Sequence, residues 1–288
     1  MYRVEKHMDK FETYRLHDLK NNSFFEVVPE RGGIITRYVW AGQDILYLDK
    51  ETLYDTEKNI RGGIPILFPI CGCLRDEKYT IDGREYNMKQ HGIARLYKWD
   101  VVKTDADDSA SITLKFESNS ETKAKYPFDF KLLFTYILKD GILSIKQHYE
   151  NMSSDDMIFY SGFHPYFNVV DKDDAEILID ADTCYDVIDK RHINFDKKID
   201  PKKAEVNLIF ETESNKCFLI DKKRDIKISL TYDEVFKYIV VWSLHDKEFI
   251  CVEPWMAKPD SMNTREDIKI IKPGEELKSV FTIGVSKE

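Results

Sequence analysis

Apolar and polar residues alternate with a period of two along much of this chain. Ser111-Ile112-Thr113-Leu114-Lys115-Phe116-Glu117 and Ile226-Lys227-Ile228-Ser229-Leu230 show it most cleanly, the pattern of a strand with one buried face. Short β-branched or aromatic runs bounded by turn residues predict strands at 24–28, 34–40 and 45–48. Longer strands are predicted at 130–138 and 142–149, joined at Lys139-Asp140-Gly141. Residues 79–81 and 84–86 predict a hairpin about Asp82-Gly83, because Asp-Gly favours turns that match strand twist. Further strands are expected at 99–103, 157–160, 238–242, 249–252 and 280–285. Residues 118–126 have room for one or two helical turns before Pro127, and no long amphipathic helix is evident. The charged stretch 171–203 is the least regular and is expected to form loops over a face of the sheet. Strands at short spacing with turns between them predict an all-β fold, a large antiparallel β-sandwich. With no low-complexity linker, residues 1–288 read as a single domain.

Composition narrows the function. Hydrophobic residues make up 42% of the chain, enough for a sizeable core. The formal net charge of -9 argues against nucleic acid or an anionic membrane as the main partner, so any anionic ligand needs a local basic cluster. The five cysteines form no C-x-x-C pair, which disfavours a disulfide framework or structural zinc site and fits a reducing cytoplasm. The first residues lack the apolar segment of a signal peptide, and no apolar run reaches membrane-spanning length.

Three segments could carry chemistry. The first is Arg61-Gly62-Gly63-Ile64-Pro65-Ile66-Leu67-Phe68-Pro69, followed by Gln90-His91-Gly92-Ile93-Ala94-Arg95. Pro65 and Pro69 exclude an ordinary helix or a central strand, so the segment is expected to be stretched and to line something. Arg61, Arg95 and His91 around it suit an oxygen-rich or anionic ligand. The alternative is two surface arginines and a core histidine. In the second segment, Phe163-His164-Pro165-Tyr166-Phe167-Asn168, the histidine is restricted by the following proline and belongs to the residue type that exchanges protons near neutral pH. It could equally fill a core slot. In the third, Cys251-Val252-Glu253-Pro254-Trp255, a carboxylate closes an apolar strand. Held among apolar groups it would have a raised pKa suited to a general base, whereas at an exposed strand end it would be unremarkable. Cys71-x-Cys73 lacks a second pair and suggests packing rather than metal.

The order of these markers is more specific than any one of them. Arg-Gly-Gly-Ile-Pro, then Gln-His-Gly-x-Ala-Arg, then His-Pro-Tyr-Phe, then Val-Glu-Pro-Trp resembles the aldose 1-epimerase (mutarotase) superfamily, whose members share a large β-sandwich. Residues 61–65 look most like the hexose-6-phosphate branch, and residues 65–72 are similar to the LacX-type branch, though Cys73 stands where an arginine is usual there and Arg75 lies two residues on. The resemblance implies His164 as general acid, Glu253 as general base, His91 as a group orienting the sugar near its ring oxygen, and Arg61 and Arg95 as ligand-binding arginines. It implies interconversion of α and β anomers of an aldohexose or aldohexose 6-phosphate, a monomer or homodimer, and no metal or cofactor. A non-catalytic sugar-binding or sensing protein on the same fold is the alternative, although binding alone needs no proton-transfer pair.

Overall fold

The structure, a computed structural model, describes residues 1–200 and 202–288. Two eight-stranded antiparallel sheets dominate it. The first has the spatial order Ala175–Leu178, Lys216–Asp221, Ile226–Tyr232, Glu276–Ser286, Ile142–Asn151, Phe130–Lys139, Ala110–Glu117, Asp100–Asp105. The second runs Arg191–Asn194, Thr183–Asp186, Glu205–Glu211, Tyr238–Leu244, Phe249–Trp255, Gly162–Phe163, Ile66–Leu67, with Tyr166–Asn168 also paired to Phe249–Trp255. A five-stranded meander from Tyr2 to Asp44 joins the same core.

Alternation in sequence becomes alternation in burial. In Phe130–Lys139 every second side chain is buried, and the strand pairs with Ile142–Asn151 so that Phe134 lies opposite Gln147. The inner faces meet through aromatic rings. Phe163 of the second sheet stacks on Phe281 of the first at 5.2 Å, and Phe25 of the meander meets Tyr136 edge-on at 6.4 Å. Phe68 sits at the centre of a ring cluster, with Tyr126, Phe130, Tyr149 and Phe159 at 5.2 to 6.0 Å.

Helix is confined to short pieces, Lys50–Tyr54, Ser120–Lys123 and Ser261–Thr264 among the described α-helices, and none is long and apolar enough to cross a membrane. Ser120–Lys123 is the expected turn before Pro127, closed by an Asn119–Thr122 capping box.

Four expectations change. Residues 171–203 hold three strands, Ala175–Leu178, Thr183–Asp186 and Arg191–Asn194, which extend the edges of both large sheets; edge strands half in solvent carry charges that hide their period. The sheet begins at Tyr2–Met8 and Glu12–Asp18, whose charged alternation is masked the same way. Residues 45–48 form no strand beyond isolated bridges, Leu46 to Phe167 and Leu48 to Gly62, with backbone bonds such as Tyr47 N–H to the Tyr166 carbonyl. Glu253 lies inside the strand Phe249–Trp255 rather than at its end, and Pro254 is accommodated there. The proline-rich segment behaves as expected: Ile66–Leu67 is the last strand of its sheet.

Phe68→Ala should lower the unfolding free energy by about 3–5 kcal/mol, the usual cost of emptying a closed aromatic site. The midpoint of denaturant unfolding would report it.

Candidate functional site

The second sheet's outer face carries the site. Gly162 pairs with Trp255 and Tyr166 with Cys251, and counting inward from both pairs sets His164 opposite Glu253. The ladder is broken at that point because Pro165 and Pro254 have no N–H to donate. The His164 N–H turns the other way, to the Pro65 carbonyl at 3.1 Å. His164 and Glu253 therefore face each other as a cross-strand pair without backbone bonds between them, the arrangement that brings side chains closest. Nε2 of His164 lies 3.4 Å from Oε1 of Glu253. Period-two alternation puts Leu67, Tyr166, Trp255, Val240, Trp242 and Asn207 on the same face, and all of them line one cleft of about 250 Å³. Phe163 and Val252 point the opposite way, into the core.

Loops complete the cleft. Arg61 precedes the strand Ile66–Leu67, and its guanidinium sits over the Trp242 ring at 5.1 Å. Trp242 in turn donates its Nε1–H to Glu205 at 2.8 Å. Arg95 donates to Asn59 at 2.6 Å and to the Gln90 carbonyl at 2.9 Å; its Nε is buried without a partner among the described residues. His91 adopts a left-handed backbone, φ 67°, a conformation that costs energy outside glycine and asparagine and is kept where surroundings enforce it. Gly72 supplies that enforcement: its carbonyl accepts the His91 N–H at 2.8 Å, and its own N–H donates to His91 Nδ1 at 3.2 Å. An accepting Nδ1 leaves the ring proton on Nε2, so His91 is fixed as a hydrogen-bond donor through that atom. The His91 and His164 rings meet edge-on, centroids 5.4 Å apart, and Tyr166 stacks nearly parallel on His164 at 4.6 Å.

Burial controls the charge states. Glu253 is 1% exposed, and loss of water pushes its carboxyl well above the usual carboxylate range, only partly offset by the Trp255 hydrogen bond. His164 is pulled down to about 3, first by burial and then by the Arg61 charge. Burial, with His164 and Arg95 adding, also holds His91 well below the ordinary imidazole value. Between the lowered His164 value and the raised Glu253 value the pair holds one proton and no net charge, the proton favouring the carboxyl. A lone titrating imidazole near neutrality, as His164 reads from sequence, is not what burial leaves.

All five residues singled out from the sequence, Arg61, His91, Arg95, His164 and Glu253, line this one cleft. Arg75 does not; it is exposed and pairs with Asp260 at 3.6 Å. Cys71 is buried and Cys73 exposed, and neither is in a disulfide. His164, Cys251 and Glu253 offer ligand atoms within 4.8 Å of one another, a spacing a metal could exploit, but Cys251, though on the same face, is fully buried and not part of the cleft lining, and the Arg61 charge acts on it, which opposes a cation. Sequence reasoning did not find Trp242, Glu205, Asn207 or Asn59. Tyr238–Leu244 is buried along nearly its whole length, so alternation there could not separate the cleft face from the core face.

This sandwich, with a histidine, a carboxyl and two arginines in one cleft, belongs to the aldose 1-epimerase family, whose sequence profile it matches over residues 15–284. It is an isomerase of that family. Slr1438 protein from Synechocystis sp. PCC 6803, known from a crystal structure, is 33% identical, superposes with a TM-score of 0.95 and covers 100% of both chains. A galactose mutarotase-like protein from Clostridium acetobutylicum is 19% identical over 99% of each chain, with a TM-score of 0.82, and shows the shared fold. A protein of Cenchrus ciliaris described as a putative glucose-6-phosphate 1-epimerase is 26% identical over 263 residues, 82% of this chain and 73% of its own.

Proposed function

We propose that this enzyme interconverts the α and β anomers of an aldohexose 6-phosphate, with His164 and Glu253 as its acid–base pair. The reading rests chiefly on the 3.4 Å approach of His164 Nε2 to Glu253 Oε1 inside a cleft that Arg61 and Arg95 also line. It takes residues 1–288 as one domain, in keeping with the buried cluster shared by all the large sheets.

Anomer exchange requires the ring to open and close. In the ring-opening direction Glu253, as carboxylate, takes the proton of the anomeric hydroxyl while His164, as imidazolium, protonates the ring oxygen. The C1–O5 bond breaks and an aldehyde forms. Rotation about C1–C2 presents the other carbonyl face, and the two residues exchange roles on closure. One proton circulates, so the pair starts and ends with the same charge. In the empty cleft burial favours carboxylic acid and neutral imidazole; the hydroxyls of a bound sugar can solvate the ionic distribution that burial disfavours. His91, donating through Nε2, is suited to the ring oxygen or a neighbouring hydroxyl. Arg61 and Arg95 supply forked donors for a phosphate, and the buried Nε of Arg95 remains to be satisfied. The free aldohexose is a second reading, favoured by the Glu205 carboxylate on the same cleft wall, which would repel an anion.

Glu253→Gln keeps the shape and removes the base. Turnover of α-glucose 6-phosphate, followed by polarimetry, should fall by about 10²–10⁴. Full activity in this variant would remove Glu253 from the mechanism. Arg95→Ala should raise KM for the phosphorylated sugar by about 10- to 100-fold, the worth of a charge-assisted bond, and leave free-glucose turnover largely intact. Equal losses on both substrates would favour the free sugar. With free α-glucose as the probe, which does not titrate in this range as a sugar phosphate would, the pH profile of kcat/KM should stay flat between pH 7 and 5. A lowered His164 pKa keeps the imidazole from taking a second proton until well below its ordinary value of about 6.5. An acid limb centred near 6.5 would contradict this charge assignment.

A further inference from the structure

Trp255 touches the site at two points and is held with unusual closeness. Its indole occupies a slot between two glycines. A Cβ on Gly72 would come 3.1 Å from the ring, and one on Gly162 would come 2.8 Å from Cδ1, closer than real side chains approach. The ring meets His91 edge-on at 5.8 Å. Its Nε1–H donates to Oε2 of Glu253 at 3.1 Å, whereas the other oxygen, Oε1, is the one facing His164. The two carboxyl oxygens are therefore unlike. An N–H aimed at Oε2 takes one of its two lone pairs and disfavours the carboxyl proton there.

We infer that Trp255 is a positioning residue whose indole N–H confines proton exchange to Oε1 of Glu253 and favours the carboxylate over the acid. The inference rests on the reading of Glu253 as the base. Other groups around Glu253 do not compete for this role. Cys71, Cys251 and Tyr166 are buried and held in their neutral forms, mainly by loss of water. Arg61 and Arg95 act on His164, and the side chain that donates to the Glu253 carboxyl is the indole. Without the N–H, the proton can settle on either oxygen, and the ionic distribution needed for ring opening becomes rarer at every pH.

The test replaces one atom group. Trp255→3-benzothienylalanine, introduced by nonsense suppression into the full chain, keeps the ring's shape and exchanges N–H for sulfur. Expected are a fall in kcat of roughly 10-fold or more with KM within about twofold, and an alkaline limb of the kcat profile moved up by about one pH unit, because an undonated carboxyl holds its proton longer. Trp255→Phe, a smaller ring for the same slot, should move the limb in the same direction. An unchanged kcat, or a fall in kcat with the limb unmoved, would overturn the inference and leave the indole a packing group. Glu253→Gln run in parallel separates the two levels: if that variant stays active the base assignment itself fails, whereas an inactive Glu253→Gln with an unmoved limb in the tryptophan variants defeats this inference alone.

Discussion

Everything in the cleft depends on one interruption of a β-ladder. Two prolines, 165 and 254, withhold the backbone donors that would have joined neighbouring strands, and between them an imidazole and a carboxyl come within 3.4 Å. A continuous ladder would have placed the same side chains on the same face, with two further backbone bonds flanking the pair. With those bonds missing, the His164 N–H to the Pro65 carbonyl ties the histidine from the side of the last strand, in step with the Tyr166 N–H to Gly63.

The same sheet solves an electrostatic problem. The chain carries a net charge of -9, yet its cleft gathers Arg61, Arg95 and Lys58 around a pair that is uncharged overall. Local cations near a buried imidazole would be repelled were it charged, and burial already keeps it neutral. The cost of bringing guanidiniums together is thus limited, and their donors stay available to oxygen atoms of a ligand. Arg61 is also steadied by the Trp242 face, which attracts a cation without consuming its hydrogen-bond donors.

Much of this was legible in the residues. Alternation located the central strands of the first sheet because one face of each meets water: Ala110–Glu117 is buried at every second position, as its sequence suggests. The markers around Arg61, His91, His164 and Glu253 were readable because proline and glycine dictate backbone geometry independently of partners. Alternation failed at the edges, where Tyr2–Met8 carries charge on both faces and Arg191–Asn194 has polar side chains on both. It failed again in Tyr238–Leu244, where cleft and core are both dry enough for apolar side chains, which hid Trp242. The charge state of His164 was out of reach, since it is set by burial and by arginines distant in sequence.

The pleat of Phe249–Trp255 leaves this protein intolerant of a particular kind of change. Cys251, Glu253 and Trp255 look outward to the cleft while Ile250 and Val252 look inward. Loss or gain of one residue ahead of position 253 would turn the carboxylate into the hydrocarbon interior and present valine to the ligand, with no intermediate arrangement available. Over time such a strand can exchange side chains freely but can change length only in its loops, so the spacing from 249 to 255 should be more durable than most of the identities within it.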